Sequence, residues 1–226
     1  MPQSQSPQSR LLDAILPHVA FDGWSDAAFD LAVQDAGMDP NLARALAPRG
    51  GLDLAAAFHR RGDAALAQWL VSDPASNLRF RDKITAAVKW RLDWVQDKEL
   101  VQRAATLFAL PQNAGLGAKL VWETADTIWR GLGDTSEDYN YYTKRMTLGA
   151  VYSATVLYWL GDASEDHADT WAFLDRRIEN VMQFEKAKAK ARENKALTGL
   201  LAGPLRLLET VRAPQDHGGM PGRWRG

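Results

Sequence analysis

RLLDAILPHVAFDGWSDAAFDLAVQDAGMDPNLARALAPRGG, residues 10–51, reads as a run of short helices punctuated by Gly and Pro. From Arg10, the residues Leu11, Leu12, Ile15, Leu16, Val19 and Ala20 keep helical spacing until Asp22-Gly23 stops them. Ser25 then caps a second helix with Phe29, Ala32, Val33 and Ala36 on one side, and Gly37 ends it. After Met38-Asp39-Pro40 a short third helix, NLARALA, begins near Asn41, and Pro48-Arg49-Gly50-Gly51 breaks the chain again. A longer helix is expected from about Leu52 to Leu70. Residue-by-residue alternation, the mark of a half-buried strand, is missing from all of it.

Three short helices followed by a long one resemble the N-terminal helix-turn-helix domain of TetR-type regulators, in which the third helix enters the major groove. The charges oppose that use. Residues 1–60 carry four basic side chains (Arg10, Arg44, Arg49, Arg60) against seven aspartates, a net −3. Attraction to phosphates supplies most of the affinity for DNA, so this unit is repelled by a duplex. Its third helix offers only Asn41 and Arg44 as readers of base edges.

Working outward, the chain stays helical. Residues 77–110 read as one long or two abutting helices, with Phe80, Ile84, Ala87, Val88, Leu92 and Val95 apolar and Trp90 and Trp94 four apart. A helix from about Ala114 to Arg130 carries Leu116, Leu120, Trp122, Ile128 and Trp129, and Gly131-Leu132-Gly133 ends it. Asp134-Thr135-Ser136 is expected to open the next helix, with Asp134, Glu137 and Asp138 favourably placed for its dipole, running to about Leu160. A last long helix starts near Asp169-Thr170-Trp171. The expected architecture is all-α: a TetR-like helical bundle with an N-terminal three-helix helix-turn-helix-like unit at 10–51, a larger domain at 52–196, and a C-terminal amphipathic helix. Aromatic and apolar residues exceed what a small bundle needs, which makes Trp90, Trp94, Leu120, Trp122, Trp129, Met146 and Tyr152 candidates to line a pocket. A filled core is the equal alternative.

The amphipathic helix is LTGLLAGPLRLLETVR, residues 197–212. Leu197, Leu200, Leu201, Pro204, Leu205, Leu207, Leu208 and Val211 fall on one arc of about 160°. The preceding KAKAKARENK, residues 186–195, holds five basic residues against one acid, a local +4 that favours anionic lipid. On this reading Leu197, Leu200, Leu201, Leu205, Leu207, Leu208 and Val211 meet a membrane surface; on spacing alone, closing the protein's own core is equally served. The segment is too short and too interrupted by charge to span a bilayer.

Whole-chain totals exclude several chemistries. With 27 basic and 28 acidic residues the net charge is −1, so no overall field recruits nucleic acid. There is no cysteine, hence no disulfide and no thiolate metal site. The opening MPQSQSPQSR lacks an apolar h-region and transit-peptide amphipathicity, so residues 1–9 are expected to be disordered and the protein cytoplasmic; residues 213–226 read as a flexible tail. The residues three before His18, His59, His167 and His217 are Ile15, Ala56, Ser164 and Pro214, so no Glu-x-x-His pair can be written for a di-iron site. HExxH, GxxxxGK[ST] and GxSxG are also missing. His18 and His59 stand isolated on helices and read as satisfied or solvent-facing residues rather than ligands. The reading is non-catalytic, with no cofactor and no metal.

GDTSEDYNYYTKR at 133–145 and DTWAFLDRR at 169–177, joined to RLLDAILPHVAFDGW at 10–24 and the terminal amphipathic helix, resemble the lipid-binding accessory protein family of coenzyme Q (ubiquinone) biosynthesis. The resemblance covers roughly residues 10–211. It implies a TetR-like fold that does not bind DNA, a pocket for isoprenoid lipid or a quinone intermediate, peripheral attachment to the inner membrane through the last helix, and support of the demethoxyubiquinone hydroxylase. Asp138, Tyr141, Tyr142 and Arg145 share one helical stripe at i, i+3, i+4 and i+7. In family terms that stripe belongs to the surface meeting the hydroxylase, with one departure: Tyr141 stands where the family carries tryptophan. The fold also implies a homodimer through helices at about 137–160 and 169–195. A ligand-sensing transcription regulator of TetR type is the alternative function, and an enzyme with an unrecognised site the third.

Overall fold

The computed structural model describes residues 5–72, 77–193 and 212–213, and among these all regular structure is helical. The helices are α1 (Pro7–Asp22), α2 (Asp26–Asp35), α3 (Pro40–Leu46), α4 (Gly51–Val71), α5 (Phe80–Asp93), α6 (Lys98–Ala109), α7 (Ala114–Gly131), α8 (Tyr139–Gly161) and α9 (Ala168–Glu193), with a 3-10 turn at Glu165–His167. The all-α reading holds among the described residues.

Local chemistry sets most boundaries. Ser25 Oγ accepts from the Ala28 N–H at 3.1 Å and Asp39 Oδ1 from Asn41 and Leu42, so α2 and α3 start where a side chain satisfies orphan amides. Gly51 opens α4 so close to the preceding chain that a Cβ there would lie 2.4 Å from the Trp24 carbonyl oxygen. Two boundaries differ from expectation. Residues 7–9 form the first turn of α1, because Ser6 Oγ caps Ser9 N–H and Pro7 suits the first helical turn. Asp134 does not open α8: Asp138 caps it by accepting from Asn140 N–H at 2.9 Å, while Asp134 turns inward to basic partners.

Two apolar cores form, and the expected seam at residue 51 does not separate them. Leu11, Ile15, Val19, Trp24, Phe29 and Leu54 pack with Leu100 and Ala104 of α6, and Trp24 Nε1 donates to the Leu100 carbonyl at 3.0 Å. Leu66 and Leu70, later on α4, join Val88, Ile128, Leu148, Trp159, Leu174 and Ile178 in the second core. Helix α4 therefore belongs to both, and α6 returns to the first. Each core buries more than ten apolar side chains, worth roughly 1.5–3 kcal/mol for each large one.

Candidate functional site

Between the two cores lies a cavity of about 340 Å³, within the ~300–1,000 Å³ range of small-molecule sites. Its apolar wall includes Phe58, Leu92, Val95, Phe108, Val121 and Val156. The lining runs from the exposed Leu157 to the buried Ala55, Leu120, Arg91 and Tyr152.

Polar side chains meet at the buried end. Arg91 reaches back from α5 to α4, where its Nε donates to Asp63 Oδ1 at 2.8 Å and its Nη2 to the His59 carbonyl at 2.9 Å. The guanidinium can cross because residue 62 is glycine: a Cβ there would stand 2.5 Å from the Arg91 Cζ. Thr124 of α7 lies 3.0 and 3.1 Å from the two Asp63 oxygens, and His59 Nε2 is 2.8 Å from Thr124 Oγ1. Tyr152 of α8 adjoins Thr124 and Arg91. Burial is the main cause that lowers the His59 pKa to about 4, with Arg91 adding to it and Asp63 opposing, so the imidazole is neutral at pH 7. Burial also raises the Tyr152 pKa, keeping the phenol protonated.

Of the expected lining residues, Leu120 and Tyr152 reach this cavity. Trp129 lines a second, smaller one of about 200 Å³ with Phe80, Ile84, Leu148, Ile178 and Met182. The others are placed elsewhere by packing: Trp90 stacks on Trp69 at 5.4 Å, the Trp94 ring lies 5.8 Å from that of Phe58 and 5.6 Å from the Arg91 guanidinium, and Trp122 packs near Tyr141 and Tyr142. Met146 follows the inward-facing Arg145 and so points out, 64% exposed. His59, Asp63, Arg91 and Thr124 were not among the expected site residues. Their sequence signal is an arginine inside the apolar arc Ala87-Val88-Leu92, facing a His/Asp pair spaced i, i+4.

The stripe Asp138, Tyr141, Tyr142 and Arg145 does not form one surface. Asp138 is exposed, both tyrosines are half-buried against Trp122, and Arg145 is buried. Arg145 Nε donates to Asp126 at 2.6 Å, Nη1 to Asp134 at 3.1 Å and to the Tyr141 carbonyl at 3.0 Å, and its guanidinium lies 3.6 Å from the Tyr141 ring centre. Two carboxylates draw it under α7, which a shared helical face cannot reveal. Residues 197–211, the expected membrane contact including Leu197, Leu200, Leu201, Leu205, Leu207, Leu208 and Val211, lie outside the described residues. Beyond them the chain returns to the start of α8: Ala213 N–H donates to the Glu137 carbonyl at 2.8 Å and Tyr142 OH to the Arg212 carbonyl at 3.2 Å. Among the described residues no helix is long and apolar enough to cross a membrane.

On α3, Arg44 is engaged by neighbouring side chains. Its guanidinium pairs with Asp26 at 3.1 Å and Asp30 at 3.8 Å and covers the Phe29 ring at 4.4 Å. The basic candidate for reading bases is thus held by acids of α2.

Residues 114–185 match the sequence model of the COQ9 family. The mitochondrial ubiquinone biosynthesis protein COQ9 of Drosophila melanogaster is 32% identical over 189 residues, which are 79% of this chain and 56% of that protein. The Rattus norvegicus protein of the same name is 30% identical, covering 78% of this chain and 59% of its own, and the Homo sapiens protein 27% identical, covering 78% and 58%. The chain spans less than two thirds of these relatives, whose names place them in mitochondria rather than in the cytoplasm expected from residues 1–9. A TetR transcriptional regulator from Nitrosomonas europaea ATCC 19718 superimposes with a TM-score of 0.59 at 18% identity, over 76% of this chain and 95% of that one, a likeness of fold. Over 79% of its length the chain is thus similar to a COQ9 ubiquinone biosynthesis protein, residues 114–185 match the COQ9 family model, and the fold is TetR-like.

Proposed function

We propose that this chain is a non-catalytic lipid-binding protein of ubiquinone biosynthesis that holds an isoprenoid quinone intermediate and supports its hydroxylation. The observation that carries the reading is the apolar cavity between the cores, open beside Leu157 and lined at its deep end by Leu120 and Tyr152. The hydroxylase acting on the demethoxyquinone is the partner the reading assigns. Exposed Asp138 and the half-buried Tyr141 and Tyr142 are its contact candidates, whereas the buried Arg145 supports them from beneath. Residues 197–211 supply the apolar face for peripheral attachment to the inner membrane, and α8 and α9 the faces for a homodimer. A DNA-binding regulator is disfavoured by the net −3 of residues 1–60 and the pairing of Arg44.

Filling the cavity tests the reading. Ala105→Trp with Val156→Phe should abolish the isoprenoid lipid recovered by solvent extraction and mass spectrometry from the purified protein, with the helical circular-dichroism signal retained. Wild-type protein without isoprenoid, or a folded double variant that keeps it, sinks the proposal.

A further inference from the structure

We infer that the polar cluster at the deep end of the cavity reads the head of the ligand, selecting an uncharged hydrogen-bond acceptor such as a quinone carbonyl and rejecting an anionic head on the same tail. The inference rests on the lipid-binding reading above and adds which residues discriminate.

Four observations support it. The cluster is buried at the end of an otherwise apolar cavity, so a ligand's polar end is satisfied there and its hydrocarbon end towards Leu157. Donors outlast the internal pairing: Arg91 uses Nε and Nη2 on Asp63 and the His59 carbonyl, and its Nη1 has no hydrogen-bond partner among the described residues. Ser153 and Tyr152, both hydroxyl-bearing, line the same cavity, and the Tyr152 hydroxyl bonds with Thr124 of the cluster. Charge is balanced within the cluster, because Asp63 at 2.8 Å compensates Arg91. A carbonyl oxygen therefore gains donors without importing charge. A diphosphate or carboxylate instead places a second anion beside Asp63 where water is excluded, and like charges at short range in low dielectric repel strongly. The neutral His59 supplies no further cation.

The test compares three probes with a two-isoprene tail: ubiquinone-2, geranyl diphosphate and the hydrocarbon 2,6-dimethylocta-2,6-diene, titrated by calorimetry against full-length protein stripped of lipid. Wild-type protein should bind the quinone at least tenfold more tightly than either other probe. Asp63→Asn leaves Arg91 uncompensated at nearly constant shape and should raise geranyl diphosphate affinity at least tenfold. Tyr152→Phe, which keeps the ring, should narrow the quinone's advantage over the hydrocarbon several-fold and serves if Asp63→Asn does not fold. Equal binding of quinone and hydrocarbon, or of quinone and diphosphate, by wild-type protein overturns the head-reading role and leaves the lipid cavity standing. Binding of none of the three removes both.

Discussion

Two buried arginines divide the larger bundle, and they do different things. Arg145, under the start of α8, has Asp126 and Asp134 on its nitrogens, the Tyr141 ring on its face, and further cations, Arg130 and Lys144, on the same two carboxylates. Arg91, between α5 and α4, has one carboxylate and stands at a void. One buried charge is a staple and the other a site. Both side chains are at most 4% exposed, so burial alone does not separate them. The space left beside the cation does.

Breaking the staple should have the largest effect. Arg145→Leu leaves Asp134 and Asp126 short of a cation beneath α7 and should lower unfolding free energy by about 3–5 kcal/mol in urea titration. A loss below about 1 kcal/mol would mean that Lys144 and Arg130 neutralise the site by themselves, and the contrast with Arg91 would fail.

The cavity node carries its own signature in pH. His59 has a pKa of about 4 in the folded chain against 6.5 unfolded, so the unfolded state takes up the proton first as pH falls. The His59 contribution is constant above about pH 7, should cost stability as pH drops through 6.5, and should be complete below 4, a loss of about 3 kcal/mol over that window. His59→Gln should flatten this part of the stability curve. A variant with the wild-type slope between pH 6.5 and 4 would show that another group produces it.

A smaller step should follow at lower pH and report on the staple. Burial pushes the Asp134 carboxyl up, but hydrogen bonds from Lys144, Ser136 and Arg145 outweigh it and hold the pKa at about 2 against an ordinary 3.8. That stability is present above 3.8 and fades as pH falls towards 2. Lys144→Met should shrink this acid step while leaving the His59 window in place. An unchanged step would separate Asp134 from the contacts seen here.

Fold class and helix order were legible in the sequence because both rest on near neighbours. Spacing in Leu11-Leu12-Ile15-Val19, caps such as Ser25 and Asp39, and breaks such as Gly23 and Pro48 act within a turn or two, and a sequence displays them directly. The candidate site was legible only in part. Leu120 and Tyr152 face the cavity as periodicity suggests, but the same periodicity sends Trp90 to Trp69 and Trp94 to Phe58, because a helix has several apolar neighbours and spacing does not say which. Asp134 looked like a cap from its place before a helix; ionic partners ten and eleven residues on turned it inward.

From the sequence alone follow an all-helical chain, a three-helix unit that is net-acidic, and the motifs that carry the family match. Only the tertiary structure decided that Arg91 meets Asp63 across 28 positions, that Thr124 joins them from α7, and that a cavity remains beside them. The reason is physical: helical periodicity is a property of one segment, whereas a buried charge and a void are properties of what three or four segments leave between them.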